Sequence, residues 1–489
     1  MQEKNQYREG RLIWPLDYAL SLGVSAFSFI LLFVNYRFPP EKIFDEVYFA
    51  RAAEEYLTRQ YIYENTHPPV TKLLITLSTL LFGGVHGGDN STGWRFLDLV
   101  FGAIAVWLLY VLAKRVTCST LFAACAAALL ALDGMHFVQS RIATPESFVL
   151  VFSLATLYTF YRYWSAAEED PFKEEVGSYR RLSGLVLCAL LAIAFVLMRF
   201  AHESLAAQII VGLWALAGLY LLDRLLLQRS RAGGLLWLFL FGLSIALLVS
   251  SKWYGVMAYG VACVTVILRR RVFPVNIVLA AMLFVAGAVY FASYAPQFIG
   301  LSDTPGAPPR SYTVTDVVNM QYSAFEYHDH LTATHPYGSR WWQWPLDLRP
   351  ILYYAKYGTS PSGRTAAMIY TLPNPLILWP GLFGVAFIGY LAWRERNHAY
   401  ILIVLTYLAQ WLPWMGSPRV SFAYHFYVDI PLVCLCNVIA LQRLPVPRWA
   451  APAYVAGVAC AFAYFYPVLS GMTIPNAAWL QRMWLPSWI

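Results

Sequence analysis

The chain reads as an all-α polytopic membrane protein, and three observations lead there. Of its 489 residues 59% are hydrophobic and only 13% charged, outside the balance of a soluble domain. Runs of roughly twenty apolar residues recur, among them LDYALSLGVSAFSFILLFV, WLFLFGLSIALLVS and ILIVLTYLAQWL, and a helix of about that length crosses the hydrocarbon core. The basic residues fall mostly in short loops between these runs, so the net charge of +8 reports topology and not nucleic-acid binding. Alternating strand patterns are not the rule, which favours helices over a barrel.

Taken in order, spans are expected near 17–35, 94–113, 118–135, 145–163, 182–199, 204–226, 234–250, 253–268, 274–295, 372–393, 398–415, 424–442 and 450–469, about thirteen in all. Lys4, Arg8 and Arg11 precede the first span and no small-residue cleavage site follows it, so it is expected to remain as an anchor. A cytoplasmic amino terminus puts Lys114 and Arg115, Lys173 with Arg180 and Arg181, the Arg224 to Arg231 cluster, Arg269 to Arg271, Arg394 and Arg396, and Arg443 and Arg448 inside. The positive-inside rule is met at nearly every short loop. The carboxyl terminus and two long segments, 36–93 and 296–371, then lie outside. TKLLITLSTLLFG, 71–83, is apolar but short of a span and is expected along the interface. The chain thus divides into a membrane module 1–295 containing the first outer segment, an outer loop 296–371, and a four-helix membrane module 372–489. Seven cysteines in or beside apolar runs point to core packing, not to a disulfide framework or a metal site.

The polar motifs share one expected face, the outer one. Asp45 and Glu46 follow the first span, and carboxylates held at a bilayer edge suit proton chemistry. Neighbours on a helix point about 100° apart, so one can be a base while the other caps or pairs. The same pair also suits a helix amino-terminal cap. His67 with Pro68 and Pro69 makes a stiff turn that either aims His67 and Lys72 at a ligand or merely reverses the chain. Arg141 in FVQSRIATPESFVL, Lys252 in SKWYGV and Arg419 are cations fit to hold a substrate phosphate or to snorkel to lipid. Glu146 closes the first of these motifs. His328, Asp329, His330 and His335 lack a chelating set at helical spacing, so no metal site is expected. Trp341, Trp342 and Trp344 read either as an interfacial belt or as surfaces for a sugar or prenyl ligand.

Eight motifs in order carry a resemblance: FDEVYF, THPPVTKLL, SRIATPES, SKWYGV, THPYGSRWWQWPLDLRP, LPNP at 372–375, SFAYHFYVDIP and RMWLPSWI. Together they resemble the protein O-mannosyltransferases, in the bacterial form without the soluble insert of the fungal enzymes. The resemblance implies a GT-C glycosyltransferase fold with about eleven to thirteen transmembrane helices. It implies transfer of mannose or a related hexose from a polyprenyl phosphate to Ser or Thr hydroxyls of proteins at the outer face of a cell membrane. Asp45 then matches the catalytic acid and Glu46 its neighbour, while Arg141 opens an Arg, four residues, Asp pattern that ends here in Glu146. Arg141, Lys252 and Arg419 become candidate donor-phosphate ligands. His67, Lys72, Glu146, His328, His335, Tyr337, Ser339, Arg340, Trp341, Trp342 and His425 become candidate substrate-binding or site-shaping residues. One leaving phosphate calls for cations and one base, so neither a cofactor nor a metal is expected. Implied partners are the lipid-linked donor and acceptor proteins, delivered by the secretion machinery. A transferase acting on a glycolipid or polysaccharide is the enzymatic rival. A lipid or sugar transporter is the rival of another class, disfavoured by the scarcity of mid-span charges.

Overall fold

The structure, a computed structural model, describes residues 12–13, 15–83, 91–169, 232–269, 275–361 and 363–489. The expected spans 182–199 and 204–226, the loop with Lys173, Arg180 and Arg181, and Cys188 lie outside the described residues. In chain order the helices begin α1 (Leu16–Phe33), α2 (Glu46–Leu57), α3 (Val70–Phe82), α4 (Ser91–Thr117), α5 (Thr120–Ala131), α6 (Gly134–Gln139) and α7 (Glu146–Glu169). There follow α8 (Ala232–Val249), α9 (Gly255–Leu268), α10 (Val275–Ser293), α11 (Ala295–Gly300) and α12 (Val314–Asp329). Strands β1 (Ile351–Ser360) and β2 (Gly363–Thr371) precede α13 (Pro375–Glu395), α14 (His398–Trp411), α15 (Ile430–Arg443) and α16 (Ala450–Ser470), and β3 (Thr473–Pro475) and α17 (Asn476–Leu480) end the order.

These elements form two units, each discontinuous in sequence. The first takes Met1–Glu54, Leu74–Leu154 and Leu331–Ile489, and the second Glu55–Leu73 and Ala155–His330. Among the described residues six helical stretches are long and apolar enough to cross a membrane, and all six belong to the first unit.

In the first unit α1, α4 and α5 pack together, and α13 packs on α15. The second contact is close because α13 carries glycine where α15 approaches. A Cβ at Gly384 would stand 2.6 Å from Asn437 Oδ1, and one at Gly381 would collide with Val433. Lys114, expected only as a loop charge, is buried in the last turn of α4 and pairs with Asp17 of α1 at 3.0 Å. Asp133 caps α6 by accepting from His136 N at 2.9 Å, and its other oxygen accepts from Asn374 N at 2.9 Å. The LPNP motif thereby ties the start of α13 to α6, and Asn374 Nδ2 adds bonds to Leu132 O and Val458 O.

The stretch 296–371, expected as an outer loop, carries regular structure. In the first unit it supplies β1 and β2, which pair antiparallel from Ile351 opposite Thr371 to Ser360 opposite Gly363, with β3 added beside β2. The helical class stands, with this small sheet added to it. Ile351 and Tyr353 are buried with Leu352 between them only partly covered, the period-two pattern of a half-buried strand. In the second unit the same stretch supplies α11 and α12. A capping box starts α12, with Thr313 and Asp316 each accepting from the other's backbone N–H. The segment 71–83 is helical as α3.

Candidate active site

Residues Phe44 to Glu46 form the turn that enters α2. Phe44 holds a left-handed backbone, φ 49°, which is uncommon for an aromatic residue. Its ring sits 4.3 Å from that of Tyr353 and about 6 Å from those of His335, Phe422 and Tyr424. The strained turn is therefore clamped by aromatic rings from distant parts of the chain.

The two acids that follow have different surroundings. Glu46 is fully buried and accepts four hydrogen bonds: Arg95 Nε at 2.7 Å and Ala143 N at 2.9 Å on Oε1, and Arg95 Nη2 at 2.7 Å and Ile43 N at 3.0 Å on Oε2. Arg95 is equally buried, and its remaining N–H groups reach Tyr36 O, Pro39 O and Glu41 O. A guanidinium has five N–H donors, and all five are matched here. Glu46 and Arg95 thus fasten the loop 36–43, the start of α2 and the loop before α7 to one another. Asp45 stays half-buried. Its charge, with that of Glu146 at the start of α7, acts on Tyr353, whose phenol burial pushes well above its ordinary range and these carboxylates push further. Gln139 Nε2 donates to the Tyr353 hydroxyl at 2.9 Å. Asp45, Glu146 and Arg419 also lie near enough to Tyr424 for their charges to act on it. Asp45 and Glu146 therefore lie near both tyrosines, and Arg419, one of the three candidate phosphate ligands, lies near Tyr424.

Arg141 is 6% exposed. Its Nη2 donates to Val34 O at 3.0 Å and Asn35 O at 2.8 Å, capping the end of α1, and its guanidinium lies 4.4 Å over the Phe137 ring. Its Nε has no partner, and burial draws the group down to about 10. A buried cation without a bound carboxylate and with a donor to spare is chemically suited to an anion.

The THPYGSRWW motif folds against residues 414–421. Ser339 N donates to Ser421 O and Ser421 Oγ to Ser339 O, each at 2.8 Å. Ser339 Oγ accepts from Trp344 Nε1 at 2.9 Å, and Trp341 O accepts from Trp411 Nε1 at 2.8 Å. A cavity of about 640 Å³ lies between the two stretches, with Arg340, Trp341, Trp342, Trp414 and Arg419 in its walls. His425 is buried against Trp414, 4.0 Å between ring centres, with its Nδ1 at the Phe422 backbone. His335 packs on Phe422 at 5.1 Å, and Tyr337 lies under the Arg349 guanidinium at 4.8 Å.

His67, Lys72, Lys252 and His328 belong to the second unit. There Lys72 Nζ donates to Glu64 O at 2.6 Å, Glu64 Oε2 at 2.8 Å and His67 O at 2.7 Å, and the His67 ring meets Glu64 Oε1 at 2.8 Å. Burial would raise the Glu64 carboxyl, but Lys72 and His67 hold it well below the usual range. His328 packs against His67 at 5.3 Å and against Trp253 of the SKWYGV turn at 6.3 Å. Val70 N donates to Ser250 O at 3.0 Å, joining the double-proline turn to the residues before Lys252. Lys72 is thus built into the turn's own framework.

Sequence reasoning passed over Arg95, Glu64, Gln139, Tyr353 and Tyr424. Arg95 and Asp98 did leave a signal, as charges in the first turns of an otherwise apolar run. Among the described residues no group of three His, Cys, Asp or Glu side chains is placed to hold a metal ion.

Comparison with known proteins finds two family models. Residues 24–183 match the dolichyl-phosphate-mannose-protein mannosyltransferase model, and residues 313–488 match the C-terminal four-transmembrane region of protein-O-mannosyltransferase. The polyprenol-phosphate-mannose–protein mannosyltransferase of Mycolicibacterium smegmatis is 27% identical, covering 97% of this chain and 94% of its own. That of Mycobacterium tuberculosis is also 27% identical, over 91% and 86%. In structure the chain is similar to the Saccharomyces cerevisiae protein O-mannosyltransferase Pmt1-Pmt2 complex bound to the sugar donor. There the TM-score is 0.73 at 13% identity, over 98% of this chain and 93% of that one, a likeness of fold.

Proposed function

We propose a reaction for this chain from the premise that it belongs to the dolichyl-phosphate-mannose-protein mannosyltransferase family. It is a multi-span membrane enzyme of the GT-C fold that moves mannose from a polyprenyl-phosphate carrier to protein. The acceptor is a Ser or Thr hydroxyl, which attacks the anomeric carbon as the bond from that carbon to the phosphate oxygen breaks. Asp45 takes the hydroxyl proton, the polyprenyl phosphate departs, and the anomeric centre inverts. Arg141 and Arg419 meet the charge that grows on the leaving phosphate. The chemistry runs without a metal, because one phosphate needs only side-chain cations. The reaction takes place at the outer face of the cell membrane, on acceptors handed over by the secretion machinery.

One observation carries the assignment of roles. Glu46 is engaged by two bonds from Arg95 and two from backbone N–H groups, whereas adjacent Asp45 stays half-buried with Glu146, Tyr353 and Tyr424 near it. The test is Asp45→Asn, assayed with polyprenyl-phosphate mannose and a Ser/Thr peptide. A loss of about 10²- to 10⁴-fold in turnover is expected for removal of a general base. Full activity in the variant would remove Asp45 from the mechanism, and transfer by the unaltered enzyme to glycolipid alone would favour the rival transferase.

A further inference from the structure

The second unit contains a cavity of about 520 Å³ between residues 61–66 and residues 297–327 that the transfer reaction does not use. Its walls are set by backbone and side-chain bonds. Arg59 Nε donates to Gly300 O at 3.1 Å, Leu301 pairs with Arg310, Tyr312 N donates to Gln297 O at 3.1 Å, and the Tyr312 hydroxyl donates to Ser302 O at 2.9 Å. Gly300 takes φ +138°, and a Cβ there would stand 2.8 Å from Arg59 Nη2, so this corner accepts glycine alone.

The lining chemistry narrows the ligand. Arg310 stacks on Tyr312 at 4.8 Å and is held by Asp303 at 2.6 Å and Asp316 at 3.1 Å, two carboxylates against one guanidinium. The site is therefore net negative and unsuited to the phosphate of a donor. Tyr61 and Tyr327 add aromatic faces, and Asn319 and Ser323, one turn apart on α12, add an amide and a hydroxyl. Gln297 also lines the cavity. It is 3% exposed, its Nε2 reaches the Tyr56 hydroxyl at 3.2 Å, and its Oε1 has no partner. Whichever way that amide is turned, the atom left over is satisfied by a hydroxyl, which both donates and accepts. Aromatic faces, side-chain amides and carboxylates with no spare cation suit a neutral polyol, and the volume falls in the range of small-ligand sites.

We propose that this cavity is a second carbohydrate site, which binds a neutral hexopyranoside, the mannosyl unit already placed on an acceptor. The site retains partly glycosylated protein, so that multi-site acceptors are modified in runs. This retention rests on the proposed transfer reaction, whereas the binding itself does not.

The test uses the full chain in lipid nanodiscs, with methyl α-mannopyranoside as probe and binding followed by saturation-transfer NMR and calorimetry. Saturable binding is expected in the unaltered protein and in Asp45→Asn, weakened about tenfold or more in Asn319→Ala/Tyr327→Ala. Both substituted side chains are exposed, and an unchanged melting temperature checks the fold. In transfer assays the double variant keeps its rate on a single-site peptide and loses its preference for a multi-site peptide that already bears one mannose. Binding that survives the double variant, or that vanishes in Asp45→Asn, would overturn the proposal. So would displacement of the probe by an unglycosylated Ser/Thr peptide with equal strength, which would make the cavity a peptide dock.

Discussion

Two buried ion pairs have their carboxylates, Glu46 and Glu64, in the stretch that follows the first span, and they are built on different principles. In the first unit, Glu46 and Arg95 are both fully buried, and the rigid guanidinium fork distributes its five donors over one carboxylate and three backbone carbonyls. In the second, Glu64 is shared between the Lys72 ammonium, a compact charge, and the His67 ring. The first pair fixes a shape through directed bonds on every donor of the fork. The second joins a turn in which one carboxylate serves two partners. Beside the first pair sits Asp45, the acid assigned to chemistry; around the second, the double-proline turn is held for packing against His328 and Trp253.

The largest effect expected from breaking this contrast is on turnover. Asp45→Asn should lower transfer by about 10²- to 10⁴-fold while the melting temperature barely moves. Glu46→Gln, one residue on, should do the reverse in kind: it leaves Arg95 buried without its counter-charge, costs about 3–5 kcal/mol, and should show chiefly as loss of folded protein. Equal melting temperatures for the two variants would erase the division of labour between the acids.

Arg95→Lys tests the fork itself. Lysine restores the charge but offers three donors where five are matched, so this variant should recover only part of the stability lost in Arg95→Met, by thermal melting in detergent. Full recovery would mean that charge alone holds the 36–43 loop.

A smaller and pH-dependent effect is expected in the second unit. Glu64 has its carboxyl depressed below its ordinary value of 4.5 by Lys72 and His67. Its stabilisation is therefore complete above about pH 4.5 and lost as pH falls through the folded-state value. Lys72→Met removes the main cation and should move this acid loss to higher pH, read as hydrogen exchange of amides 64–72. Superimposable pH profiles for the variant and the unaltered protein would sink the assignment. The smallest expected effect is that of Arg141→Lys, about tenfold weaker use of the donor with acceptor affinity unchanged, since the backbone cap at α1 can persist with a single ammonium.

Much of this architecture was legible in the residues. The apolar runs placed α1, α4, α13 and α16 to within a few residues, and the ordered motifs pointed to the mannosyltransferase family whose models match the chain. The sheet at 351–371 escaped because only Ile351 and Tyr353 alternate inward at the start of β1, while β2 is buried nearly throughout its second half. A run buried on both faces has no period to read. Arg95 is hidden for a related reason, since an apolar run reads as a span whatever a charge inside it pairs with, and the partner, Glu46, lies 49 residues away. Tyr353 was invisible because its closeness to Asp45 depends on strand pairing some three hundred residues downstream, a non-local event that local pattern cannot encode.

The backbone of Phe44 has a consequence for biosynthesis. Its left-handed turn is held by rings at positions 335, 353, 422 and 424. None of these exists when the first span leaves the ribosome. The acid beside Phe44 acquires its orientation only once the last third of the polypeptide has been made and inserted. Until then the turn that presents this acid lacks the rings that hold it.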